Sequence, residues 1–130
     1  MSVTFDILDE TSTGERRGAC RLACESTDST LREIIRLRVQ QEVERFNRSE
    51  TEVFQGLIQP EETERILNGV RPSHLFLDWE KQYASAITAF QGNGFLIFVD
   101  DRQVTELDET IHLQTDTTIT FLKLLPLVGG

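Results

Sequence analysis

Between Ser29 and Phe46 the chain reads STLREIIRLRVQQEVERF. Leu31, Ile34, Ile35, Val39, Val43 and Phe46 recur at helical spacing on one face, so the spacing predicts a long amphipathic helix. Thr30 and Glu33 make a T-x-x-E capping box, in which side chains take up backbone donors at the helix start. The Arg- and Glu-rich opposite face reads as solvated surface. A helix with a single apolar stripe needs another apolar surface to lie on, which the flanking sequence must supply.

The flanks alternate as strands do. Val3, Phe5 and Ile7 share one face against Thr4 and Asp6, giving a half-buried strand over the first nine residues. A turn follows at DETSTGERRG. Beyond it Cys20, Leu22 and Cys24 oppose Ala19, Arg21 and Ala23, so a second strand pairs back as a hairpin. Past the long helix, an insertion of about 47–93 carries two helix signals: Pro60 to Gly69, and Asp78 capping WEKQYASAITAFQ before Gly92. In the latter, Trp79, Tyr83, Ile87 and Phe90 form a stripe that reads as core. Phe95 to Val99 is a continuous apolar strand, DDRQV turns into a short partner, and LDETIHL reads as compact and turn-like. Thr117 to Leu124 has the β-branched character and length of a central strand.

This order predicts an α+β fold in which one helix crosses a mixed sheet, with the first and last strands parallel at its centre. At 130 residues one domain, 1–130, suffices, and 38% apolar residues with eight Phe can fill its core. Thirteen basic against twenty-two acidic residues give a formal charge of −9. That charge repels phosphate backbones and anionic lipid and favours a basic protein partner, so neither nucleic acid nor membrane is expected as a ligand. MSVTFDILDE lacks the pattern of a signal peptide, and no apolar run approaches the ~18 residues of a membrane span, so a cytoplasmic location is expected.

Several features carry little chemistry. Cys20 and Cys24, four residues apart in one strand, would lie about 13 Å from each other at ~3.3 Å per residue, too far to bridge within it. His74 and His112 have no metal-ligand spacing. Asp100-Asp101 and Asp108-Glu109 sit in turn-like segments, where carboxylates hydrogen-bond local backbone. With no phosphate-binding glycine motif and no nucleophile constellation, the chain is expected to be a substrate of enzymes, with no cofactor or metal of its own.

The sequence closes on FLKLLPLVGG, Phe121 to Gly130. From LIFVDDRQVTELDETIHLQTDTTITFLKLLPLVGG onward it resembles the second half of ubiquitin, including the L-I-F strand, the short turn segment and the Gly-Gly ending. Residues 1–46 match by pattern only, and the insertion has no counterpart. The resemblance implies a β-grasp, ubiquitin-like protein of bacterial type. Where ubiquitin ends L-R-L-R-G-G, this chain has Leu125-Pro126-Leu127-Val128-Gly129-Gly130, closer to the sulfur carriers MoaD and ThiS.

That family implies a pathway. The Gly130 carboxylate, with Gly129, would be adenylated by a ubiquitin-activating-type (ThiF/MoeB-like) enzyme using ATP. Leu125, Pro126, Leu127 and Val128 would be read as the tail. A conjugating enzyme, a deconjugating protease, and a target protein or sulfur-accepting enzyme would complete the partners. The chemistry of the ending fits independently: residues without Cβ let backbone approach a nucleotide closely, and Pro126 limits the entropy lost on capture. Two roles share these features, protein modifier and sulfur carrier forming a thiocarboxylate; a third, the non-covalent adaptor, would leave the tail idle. Lys81 and Lys123 are the only lysines, leaving few acceptors for polymer chains, and the insertion suggests added docking for dedicated partners. Together these favour the modifier. The family's apolar patch falls on Ile97, Leu122 and Leu124. Alternation puts Leu96 and Phe98 towards the helix, Ile119 and Phe121 inward, and the three patch residues outward.

Overall fold

In the computed structural model the described residues are 2–48, 57–58 and 77–124. Strand β1 (Val3–Thr11) turns at Thr11 to Glu15 into β2 (Arg16–Cys24). Gly14 takes φ +85 there, a conformation that would strain a side chain, and its N–H donates to Thr11 O at 2.9 Å. The antiparallel ladder pairs Val3 with Cys24 through Leu8 with Ala19, then Glu10 with Arg16, one extra residue bulging on β2. Short β3 (Asp28–Thr30) leads into helix α1 (Leu31–Arg48).

Helix α1 starts where its sequence places it. Thr30 Oγ1 accepts from Glu33 N at 3.2 Å, and the free N–H groups of Leu31 and Arg32 donate to Glu109 O and Leu107 O at 3.1 and 2.8 Å. The Glu33 carboxylate pairs with Arg36 instead of closing the box; that hydrogen bond holds it below the usual carboxylate range. All six residues of the predicted apolar stripe are buried, together with Arg38.

Helix α2 (Trp79–Gln91) begins at Asp78, whose Oδ1 accepts from Glu80 N at 3.0 Å. It packs along α1, burying Gln82, Ala86 and Phe90, with Trp79, Tyr83 and Ile87 partly buried against the same core. The predicted Pro60 to Gly69 helix lies outside the described residues. Strands β4 (Phe95–Val99), β5 (Arg102–Val104), β6 (Thr110–His112) and β7 (Thr118–Lys123) complete the chain.

The result is an α+β arrangement with a mixed five-stranded sheet in the order β2-β1-β7-β4-β5 and a helix packed on it. Strand β7 runs parallel to β1 and antiparallel to β4. A second, two-stranded sheet joins β3 to β6. The segment LDETIHL is therefore only half turn: Leu107 and Asp108 turn, while Thr110 to His112 pair with β3 and put Ile111 and Leu113 in the core.

The inner face of the sheet carries Val3, Phe5, Ile7, Leu22, Phe95, Ile97, Val104, Ile119 and Phe121, all buried. Phe90, Phe95 and Phe121 stack in tilted pairs at 5.7 and 5.8 Å between centroids. One expectation is overturned here. Ile97 is fully buried, because it lies directly opposite Phe121 in the β4–β7 ladder, and residues paired across a ladder share a face. The phase of β4 is thus the reverse of that expected: Phe95 and Ile97 point to the helix, Leu96 and Phe98 away from it.

Candidate functional site

Strand β7 is the central strand, and the described residues end just beyond it, at Leu124. The β1–β7 ladder finishes at Thr11 opposite Lys123, and Leu124 N donates to Gly94 O at 3.0 Å. Leu124 is exposed, the one large apolar residue so exposed among those described. Leu125, Pro126, Leu127, Val128, Gly129 and Gly130 lie outside the described residues.

Beside the end of β7, the outer face of the sheet carries an apolar stripe. Leu96 sits opposite Leu122, and Phe98 and Leu8 flank Thr120 from either side. Leu8, Leu96, Phe98 and Leu122 are each half-buried, and no described helix covers them. Of the expected patch, Leu122 and Leu124 lie here and Ile97 does not. Leu8, Leu96 and Phe98 were missed. The sequence held the missing signal: β7 alternates strongly between Ile119 or Phe121 and polar Thr118 or Thr120, and its register fixes the phase of β4. The stripe is edged on the β1–β2 side by the Asp6–Arg21 pair at 3.3 Å and the Glu10–Arg16 pair at 3.2 Å.

On the opposite face, beneath the same end of β7, lies a buried ionic cluster that sequence periodicity did not reveal. Arg38, within the apolar stripe of α1, is 3% exposed and donates to both oxygens of Asp9 at 2.6 and 2.7 Å. Its Nη2 also reaches Glu42 Oε2 at 3.3 Å, and its guanidinium lies 4.4 Å over the Phe121 ring. Burial alone would lower its pKa, but the Glu42 and Asp9 carboxylates outweigh that and raise it, so Arg38 is a fixed cation. Lys123 Nζ stands 3.8 Å from Asp9 Oδ2, and Glu42 Oε1 accepts from Leu57 N at 3.1 Å. The cluster therefore ties α1 to the ends of β1 and β7 and to buried Leu57. Arg38 Nε finds no hydrogen-bond partner among the described residues.

The remaining polar groups have local roles. Asp100, at φ 54 in the β4–β5 turn, accepts from Thr118 N at 3.0 Å, as turn carboxylates do. Arg102 pairs with Glu109 at 2.6 Å, and Arg32 with Asp108 at 3.2 Å. His112 Nδ1 meets Asp28 Oδ1 at 2.6 Å across the β3–β6 pair. His74 lies outside the described residues. Cys20 and Cys24 are both free, Cys24 buried and Cys20 exposed. Although Cys20 is exposed, desolvation of its thiol by the packed neighbours raises its pKa; Arg38 opposes the rise, and Glu42 and Asp9 add to it. No group of three His, Cys, Asp or Glu side chains able to hold a metal occurs among the described residues, nor does any helix long and apolar enough to cross a membrane.

Comparison with known protein families, with curated proteins and with solved structures gives no significant match to this chain.

Proposed function

We propose that the chain is a β-grasp, ubiquitin-like modifier whose Gly130 carboxylate is activated by an ATP-dependent adenylating enzyme and transferred, through a thioester, to a target. The observation that carries this reading is the position of β7. It occupies the centre of the mixed sheet, parallel to β1, and ends at Lys123 and exposed Leu124 beside an apolar stripe that no described helix covers. The strand order, with first and last strands parallel at the centre and α1 on one face, is compatible with a β-grasp.

In this reading the segment Leu125 to Gly130 enters the adenylating enzyme as an extended strand. The carboxylate attacks the α-phosphorus of ATP and pyrophosphate leaves; a thiolate then attacks the acyl carbon of the mixed anhydride, the C–O bond to phosphate breaks, and AMP leaves. The outer stripe of Leu8, Leu96, Phe98, Leu122 and Leu124 serves as the protein-docking face, and the acidic body favours a basic partner surface. The chain is a substrate of this chemistry, not an enzyme, and because ATP is consumed the proposed compartment is the cytoplasm. A second reading, sulfur carrier, is favoured by one feature: Leu125 to Val128 contains no arginine, and the same adenylate attacked by hydrosulfide, with AMP leaving, gives a thiocarboxylate.

The test is a comparison of the full chain with one lacking Gly129 and Gly130, each incubated with ATP and a ThiF/MoeB-type enzyme from the same organism. Pyrophosphate exchange dependent on the full chain, and lost on truncation with the melting temperature unchanged, is the expected result. Equal exchange from both chains contradicts the proposal.

A further inference from the structure

The sheet has two open edges, and they are unequal. Strand β5 closes one side with three residues, and shortness is one way an edge is protected from further pairing. Strand β2 closes the other with nine, and among the described residues its backbone ladder runs on one side alone, to β1. An edge of that length offers a row of N–H and C=O groups to another strand.

The sequence of β2 says which strand. RRGACRLAC holds three arginines and no acid. Arg16 and Arg21 already meet Glu10 and Asp6 of β1 at 3.2 and 3.3 Å, however, so the edge does not call for an acidic partner. Laid against a reversed copy of itself, the strand is complementary in size. With a twofold axis at Cys20, Arg16 stands opposite Cys24, Arg17 opposite Ala23, Gly18 opposite Leu22 and Ala19 opposite Arg21, so each large residue meets a small one. Directly opposite residues share a face, and like charges there repel, which restricts the alternatives. An axis one residue earlier sets Arg17 against Arg21, and one residue later sets Arg21 against its own copy. Axes further out pair five residues of β2 or fewer. The setting of Cys20 agrees: it lies opposite Ile7, on the helix side of the sheet, yet is exposed, whereas Leu22 and Cys24 on the same side are buried.

We propose that β2 joins two copies of this chain: the strands pair antiparallel about a twofold axis at Cys20 and continue two five-stranded sheets into one of ten. The axis stands perpendicular to the sheet, so both α1 helices lie on one side and both outer stripes on the other. The bulge before Ala19 flanks the regular centre of the pairing, Ala19 to Arg21, in each copy. The two Cys20 Cα atoms then stand about 4.5–5.5 Å apart, within disulfide reach. This pairing is independent of the chemistry at Gly130.

Sedimentation velocity of the full chain under reducing conditions, taken to millimolar concentration, should show a reversible dimer. Two substitutions at one position separate pairing from folding. Ala19→Arg sets two like-charged pairs against Arg21 of the other copy and should weaken the dimer about tenfold, while Ala19→Glu should tighten it, circular dichroism showing both variants folded. Oxidised glutathione at mildly alkaline pH should convert two Cys20 thiols into one disulfide, itself being reduced to two glutathiones, and peptide mass spectrometry should find the Cys20–Cys20 link. A chain that stays monomeric, alone or with another protein bound along β2, overturns the proposal. So does a dimer whose affinity the two Ala19 variants shift in the same direction, or one that yields no Cys20–Cys20 link.

Discussion

Ile97 and Phe98 are neighbours in one apolar run, and their opposite orientations carry opposite consequences. Ile97 is fully buried against the helix side, so Ile97→Ala should cost about 2–5 kcal/mol through lost burial and the cavity left behind. Phe98 lies half-exposed on the outer face, so Phe98→Ser should cost about 1 kcal/mol or less while weakening protein docking. Urea denaturation of both variants measures the ordering, and equal losses would contradict the assigned phase of β4. The sequence FLIFV cannot give that phase by itself, since a strand with apolar residues on both faces has no period-two signal. What resolves it is the partner: β7 has a legible alternation, and Phe121 opposite Ile97 transfers its phase across the ladder.

Among the elements, α1 was the most legible. Its six-residue stripe and the Thr30 cap are found where the spacing puts them. Arg38 was not, because an arginine one position from Val39 reads as the edge of a polar face until the sheet supplies Asp9. The cluster joins α1 to β1 and β7, and its two partners are unequal. Removing Asp9 strands a cation that is 3% exposed, with Glu42 left at 3.3 Å as its counter-charge. Removing Arg38 strands a carboxylate that is 17% exposed and has Lys123 at 3.8 Å. Asp9→Ala should therefore cost about 3–5 kcal/mol, and Arg38→Met clearly less, since its thioether stem still packs on Phe121. Chemical denaturation of the two variants tests this. A larger loss from Arg38→Met would mean that the Phe121 contact, and not the buried charge, dominates. Strand β6 escaped the sequence reading for a different reason: three residues are too few to show a period, and only β3, itself three residues, marks them as a strand.

At the scale of the molecule, the order of elements gave the mixed sheet and its parallel centre, because a hairpin, a crossing helix and a closing strand leave few ways to pair. The two faces of that sheet are then divided between tasks. The inner face holds the core and, at the β7 end, the ionic cluster, while the outer face leaves Leu8, Leu96, Phe98, Leu122 and Leu124 uncovered by any described helix beside the end of β7. The proposed activation joins the apolar stripe, for docking, with the Gly129-Gly130 ending of the sequence, for chemistry. The most direct measurement is the chemical state of Gly130 in the native host, read by mass spectrometry of the C-terminal peptide from an N-terminally tagged chain. The account predicts Gly130 in amide linkage to a target lysine, or as a thiocarboxylate if the carrier reading holds. A Gly130 found solely as the free acid, with no adduct when ATP and the host's adenylating enzymes are present, would contradict it.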